Sequence, residues 1–304
     1  MINDMEIRQL ESFCAIVESG SFSKAAETLY ITQPAVSMHI RALEQELKVR
    51  LFERVGRSAK LTHSGELLYE YAHRIISLEK EAQQAVLETA SGERGRVVVG
   101  AGATTTIFTL PPVLQLLRSK SPGIEVIIRS GTSREVAKMV LDGVVDLGMV
   151  TSPVEDEDLV VRPLLEDRVV AIVSRDHRLA KSGHTSLAEF AHEPLILFMR
   201  GSGFRQYLDT LFASGGVTPQ VQMELDNIEA IKALVEIGLG ASLVPEVAVR
   251  HLEPDSKLAV IDIKDLPSVA RRLSLVYRKD KYISPAIQMF IDAVSEIGEG
   301  RIRS

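Results

Sequence analysis

The hydrophobic period of this chain changes once, at the polar joint Ser91, Gly92, Glu93, Arg94 and Gly95, and that change limits the fold more than any other feature. Before the joint, apolar residues recur at helical spacing. After it, apolar runs of strand length alternate with helical stretches. One all-helical domain and one all-β domain are both excluded, and the chain needs two differently built parts. Its 304 residues agree, at roughly 150 residues per domain. With 45% hydrophobic and 25% charged residues it has the composition of a folded chain rather than a disordered one.

Residues 5–47 read as three helices. The first carries Ile7, Leu10, Phe13, Cys14 and Val17 on one face and stops at Gly20, which suits the left-handed conformation that follows a helix end. Ser21 or Ser23 can cap the second, which runs through Lys24, Ala25, Ala26 and Leu29. After a short break at Tyr30 and Ile31, the Thr32 hydroxyl can cap a third helix. Pro34 falls in its first turn, where a missing amide proton costs nothing. Val36, Ile40, Leu43 and Leu47 form its inner face, and two short helices joined by a tight turn make a helix-turn-helix. Val49, Leu51 and Phe52 then lead into a polar hairpin-like stretch from Arg54 to Lys60, read as a wing. From Ser64 to about Ala90 one long helix follows, with a stripe of Leu67, Tyr71, Ile75, Leu78, Ala82 and Ala85. The stripe repeats near the 3.5-residue spacing of a two-helix seam, so a partner helix and a dimer are expected.

Beyond the joint, strands are expected at 97–100, 124–128, 145–150, 169–173, 195–198, 221–225, 241–244, 258–261 and 273–277. Helices are expected near 107–119, 133–142, 203–213 and 228–237. Alternation of this kind predicts parallel α/β sheet, and about nine strands suit two lobes better than one.

Net charge is −6, against a generally basic nucleic-acid coat, but between 32 and 63 six basic residues face three acidic ones. Arg41, Lys48, Arg50, Arg54, Arg57 and Lys60 mark where a polyanion would bind. The single cysteine, Cys14, shares a helix face with apolar neighbours and reads as core, which fits a reducing compartment. The opening residues lack the cationic and apolar parts of a secretion signal, and the longest charge-free run, between Arg96 and Arg118, is broken by Thr, Pro and Gly. The expectation is a cytoplasmic protein without a membrane role.

The run SFSKAAETLYITQPAVSMHIRALEQEL, followed by LFER, closely resembles the DNA-binding end of LysR-type transcriptional regulators. The resemblance extends over the whole chain through VVVGAGATTT, DGVVDLGMVTSP, GSGFR and GLGASLVP. It implies an α/β chain overall: a mainly α winged helix-turn-helix at 5–63, a linker and dimerisation helix at 64–91, and an effector-binding domain at 92–304. The last resembles type 2 periplasmic binding proteins, with lobe I at about 92–164 and 268–304 and lobe II at about 165–267. It further implies sequence-specific binding of double-stranded DNA at an interrupted palindrome, a homodimer or a homotetramer built as a dimer of dimers, contact with RNA polymerase, and control by a small effector. One position departs. Where the family usually has glycine at the end of the recognition helix, this chain has Lys48, so either the helix ends differently or Lys48 takes a strained backbone.

The residues themselves agree with this assignment. A helix entering the major groove needs short polar side chains at its N-terminal end. Gln33 and Ser37, four apart, share a face, with Pro34 beside them able to touch a thymine methyl, and Gln33 suits bidentate contact to adenine. Arg54 and Arg57 in the wing are expected to make phosphate or minor-groove contacts, with Ser23, Arg41 and Thr62 as further contacts to the DNA backbone. In the effector half, polar helix starts would converge on a small anion: Thr104, Thr105 and Thr106, then Thr151 and Ser152, then Ser202, Gly203 and Phe204 of the GSGFR stretch, then Asn227. The seven scattered histidines and single cysteine show no metal-ligand spacing, and GAGATT lacks both the phosphate-loop lysine and a dinucleotide fingerprint. No catalytic residues, metal or cofactor are expected. A solute-binding protein is the competing reading for 92–304 alone, and the 91 residues in front argue against it.

Overall fold

The computed structural model describes residues 5–55, 58–91, 95–151, 154–250, 252–253, 255–266 and 271–302. It divides into two compact units, the first made of residues up to 92 together with Leu141–Val144 and the second of the rest.

In the first unit, α1 (Ile7–Ser19), α2 (Phe22–Thr28) and α3 (Gln33–Leu47) are followed by β1 (Phe52–Val55), β2 (Ser58–Leu61) and α4 (His63–Ser91). Gly20 ends α1 with φ 67°, as its position implied. Thr32 caps α3 by accepting from the Ala35 amide at 3.4 Å, with Pro34 in the first turn. Ser21 stands at the N-cap of α2, but its side chain makes no cap bond. Lys48 ends α3 in the left-handed region (φ 55°), which decides between the two outcomes left open by the missing glycine. Leu10, Phe13 and Ile16 of α1 meet Val36, Ile40 and Leu43 of α3 in one buried core with Leu51. Leu47 is exposed rather than part of the inner face, because α3 runs past the core at that end. A hydrogen bond between Ser12 Oγ and His39 Nδ1 (2.7 Å) adds a polar tie between α1 and α3. β1 and β2 pair antiparallel as the hairpin wing.

The long helix carries two apolar stripes instead of one. Ala72 and Ile76, with the half-buried Leu68 and Tyr69, pack on the N-terminal core. Leu67, Tyr71 and Leu78 of the stripe read from the sequence remain more than half exposed in the single chain.

The second unit begins with β3 (Gly95–Ala101), α5 (Ala103–Phe108), α6 (Leu110–Lys120), β4 (Ile124–Ser130), α7 (Ser133–Leu141), β5 (Leu147–Thr151), β6 (Leu159–Asp167) and β7 (Val169–Ser174). It continues with α8 (Arg178–Ser182), β8 (His184–Thr185), α9 (Leu187–Ala191), β9 (Leu195–Phe198), α10 (Gly203–Ser214), β10 (Val221–Leu225) and α11 (Ile228–Glu236). β11 (Ser242–Pro245), β12 (Leu258–Ile263), β13 (Arg271–Arg278) and α12 (Pro285–Ile302) complete it. One lobe is a five-stranded sheet in the order β4-β3-β5-β13-β6, whose core joins Val97, Val99, Leu147 and Leu275 to Leu110, Val113 and Phe290. The other holds β11-β7-β12-β8 and β10-β9, linked through a bridge between Leu195 and Ala241, around Ile172, Phe190, Leu208 and Ile231.

The sheets are mixed and not purely parallel. β3 pairs parallel with β4 and β5, but β13 runs antiparallel to β5 and β6, and β11 and β12 antiparallel to β7. The reason is connectivity: the chain leaves the first sheet after β6 and returns only at β13, so the returning strand owes no crossover helix to its neighbours. Because β6 pairs with β13 as far as Asp167, the first lobe's sheet extends three residues beyond 164.

Candidate functional site

The N-terminal end of α3 is an exposed polar edge of the first unit. Gln33 and Pro34 are exposed, Ser37 is half-buried, and Val36, directly between them on the helix, is fully buried and fixes which face turns outward. Gln33 Nε2 donates to Ser37 Oγ at 3.0 Å, so the two residues singled out for base reading are already joined. An amide nitrogen carries two protons, so the second N–H and the Oε1 acceptor stay available, the pair that bidentate recognition of adenine needs.

The surrounding cations are less uniform than their sequence spacing implied. Arg50 donates to Glu44 at 3.0 Å, and the other Glu44 oxygen accepts from the Leu51 amide, so this arginine is partly neutralised. Arg41 is exposed and lines a groove of about 420 Å³ with Glu44, Gln45, Lys48, Val49 and Arg50 at the far end of α3. Ser23 is exposed on the first turn of α2. Thr62 is committed within the fold: its hydroxyl donates to the Arg50 carbonyl (2.7 Å) and accepts from the Gly65 amide (3.0 Å), which leaves no proton for a phosphate. Arg54 lies on β1, but its side chain, like the whole of Arg57, lies outside the described residues.

Cys14 sits beneath this surface. Burial, reinforced by the negative charges of Glu18 and Glu11, pushes its thiol up to about 12 from 9.0. A thiol so disfavoured as thiolate is packing material and no reactive centre.

In the second unit the lobes meet at several points, two of which carry polar groups. Gly203 opens α10 against the other lobe: a Cβ there would lie 2.7 Å from Ser133 Oγ and 3.7 Å from Thr151 Cβ. Ser133 Oγ in turn accepts from the Thr151 amide at 3.0 Å. The N-terminal end of a three-turn helix therefore faces two hydroxyl-bearing residues, in the arrangement that favours an anion. At the second point the Lys232 Nζ of α11 lies 5.7 Å above the Phe108 ring of α5, paired also with Glu229 at 3.1 Å. Thr105, one turn before Phe108, is 5% exposed, and its hydroxyl has no partner among the described residues. A buried hydroxyl left unbonded is costly unless a ligand or water completes it.

Other predicted residues are used by the fold itself. Thr106 donates to the Gly102 carbonyl at 3.0 Å. Ser202 and Asn227 cap α10 and α11, each accepting from helix amides, although Ser202 retains its proton and Asn227 its amide group for donation. Phe204 is a core residue, packed edge-on against Phe198 and stacked on Tyr207, so its ring is turned into the lobe and away from a ligand. Thr104 is half-buried beside Thr105, and Ser152 lies outside the described residues. Sequence reasoning missed Ser133, Lys232 and Phe108. Ser133 follows the Gly131-Thr132 turn as a helix start, a signal of the same kind as Ser202; nothing local marks the other two.

Among the described residues no group of three or more His, Cys, Asp or Glu side chains is placed to hold a metal ion, and no helix is long and apolar enough to cross a membrane.

A helix-turn-helix with a hairpin wing, a long helix and a two-lobed α/β unit in one chain define a transcription regulator whose reading head and sensing part are covalently joined. Residues 7–66 match the family described as bacterial regulatory helix-turn-helix protein, lysR family, and residues 90–298 match the LysR substrate binding domain. The chain belongs to the LysR family of transcriptional regulators, which are not enzymes. It is 32% identical over 286 residues to the HTH-type transcriptional activator CmpR of Synechocystis sp., covering 94% of this chain and 93% of that relative. A probable RuBisCO transcriptional regulator of the same organism is 34% identical over 292 residues, covering 94% and 84%. Among solved structures, the LysR family regulator CbnR superposes with a TM-score of 0.71 at 25% identity, covering 96% of this chain and 99% of that one. Full-length CbnR complexed with its target DNA gives 0.70 at 27% identity, again covering 96% and 99%.

Proposed function

We propose that this chain binds a specific duplex through the N-terminal end of α3 and that a small anion held between the lobes of the second unit alters that binding. The observation that carries the first half is the outward-facing, mutually bonded pair Gln33 and Ser37. Gln33 reads adenine, Pro34 rests on a thymine methyl, and Ser23, Arg41, Arg54 and Arg57 hold phosphates. The relative solved with its target DNA supports this reading. The second half rests on the α10 N-terminus facing Ser133 and Thr151, with the Lys232 cation and the unbonded Thr105 hydroxyl at the other seam. Thr104, Ser202, Gly203 and Asn227 complete the polar lining.

The open stripe Leu67, Tyr71 and Leu78 calls for a second copy, so the active form is a homodimer, with two dimers forming a tetramer on an interrupted palindrome. The divisions 5–63, 64–91 and 92–304 then correspond to reading, pairing and sensing. The protein works in the cytoplasm and meets RNA polymerase there. Titration of the full chain against duplexes with and without a selected site, over a range of salt, tests the reading. A specific affinity whose logarithm falls linearly with log salt is expected; equal affinity for every duplex, or for none, overturns it.

A further inference from the structure

Only two non-glycine residues among the described ones hold a left-handed backbone, Tyr30 (φ 54°) and Lys48 (φ 55°), and they stand at the two ends of α3. At Tyr30 the chain closes α2 with paired bonds. The Ile31 amide donates to the Ala26 carbonyl at 3.0 Å and the Tyr30 amide to the Glu27 carbonyl at 3.2 Å. In this helix ending the middle position belongs to glycine, with asparagine next, because a Cβ there crowds the backbone. The side chain gives the fold nothing in return. Tyr30 is 95% exposed, and no described residue stacks on its ring or bonds its hydroxyl. Glycine would make this turn better, and a polar residue would hydrate better.

The position of the ring supplies the missing reason. It stands two residues before the Thr32 cap and three before Gln33, and Ile31, Thr32, Gln33 and Pro34 are all exposed along the same edge. We propose that Tyr30 is a further DNA-contacting residue, its phenol donating to a backbone phosphate beside the base pairs that Gln33 and Ser37 read while its ring covers the adjoining sugar. This rests on the reading of α3 given above. A tyrosine contact of this kind positions the helix without choosing a base. Being uncharged, it displaces no counterion and leaves the salt dependence alone.

The test measures duplex affinity, salt slope and thermal unfolding for the full chain and for Tyr30→Phe, Tyr30→Gly and Gln33→Ala. Tyr30→Phe should weaken specific and nonspecific duplexes alike, by roughly tenfold, for loss of one hydrogen bond to a charged group. Its salt slope should match the parent's. Tyr30→Gly should weaken binding at least as much while raising the unfolding midpoint of the first unit, because it relieves the left-handed strain. Binding by Tyr30→Gly as tight as the parent's, while Gln33→Ala still alters sequence preference, overturns the role of Tyr30 and leaves the α3 reading standing. If Gln33→Ala is also without effect, the α3 reading itself has failed.

Discussion

Placing a methyl group at Gly203 would drive it into the opposite lobe. The added Cβ would lie 2.7 Å from Ser133 Oγ and 3.3 Å from Ser133 Cβ. Ordinary contacts of a Cβ begin at 3.4 Å, so the first approach is short by about 0.7 Å and the second by about 0.1 Å. Gly203 is not among the glycines with positive φ, so alanine meets no backbone strain and would by itself favour α10 slightly. Any loss in Gly203→Ala must therefore come from the wedge, for which overpacking costs about 1–3 kcal/mol. Ser133→Ala removes the offending oxygen together with its bond to the Thr151 amide (3.0 Å), a loss of about 1 kcal/mol. In the double variant the short contact is gone, and the penalty should fall below the sum of the single effects by about 1–2 kcal/mol. Urea unfolding of the four proteins followed by circular dichroism gives the coupling. Additivity within about 0.5 kcal/mol would show that Gly203 and Ser133 do not meet, and the anion site built on their meeting would be refuted.

Three further outcomes are expected. Because the folded Cys14 thiol and Tyr69 phenol are both pushed up to about 12, mainly by burial, the unfolded chain loses these protons first as pH rises. Their contribution to stability is thus fully present below about pH 9 and falls above it. Urea midpoints at about pH 8 and about pH 10 should differ less in Cys14→Ala than in the parent, and an unchanged difference contradicts the burial. Lys48→Gly should raise stability by about 0.5–1 kcal/mol, since relief of the left-handed Cβ outweighs the entropy glycine adds to the unfolded chain; a lower unfolding midpoint counts against the strain. Lys232→Met should reduce stabilisation of the protein by inorganic phosphate and small carboxylates in a thermal-shift titration, by about tenfold in apparent affinity; an unaltered titration would move the anion away from α11.

What the sequence made legible was local. The Thr32 cap, the Gly20 stop, the buried Val36, Ile40 and Leu43, and the strand at 221–225 follow from side-chain period and end chemistry within a few residues. β6 escaped because it carries Pro163, which argues against a strand until its place at the sheet edge is known, and Pro163 meets a register shift in β13. α12 was readable in principle, with Ile287, Phe290, Ile291 and Val294 on one face behind the Ser284 start. The reversal of β13, the meeting of Gly203 with Ser133, and Lys232 over Phe108 are set by residues far apart in the chain. No local pattern reports them. Equally, the sequence shows that Thr62, Thr106 and Phe204 are of a suitable type, but not that the fold has already used their hydroxyls and ring.

The central claim is that Gln33 reads a base from the start of α3, and selection of binding sites from random duplexes by the parent chain and by Gln33→Ala tests it most directly. The two selected sequences should differ at one base pair in each half-site, adenine being lost there, with a discrimination of about 1–3 kcal/mol removed. Identical selected sequences from the two proteins would contradict it.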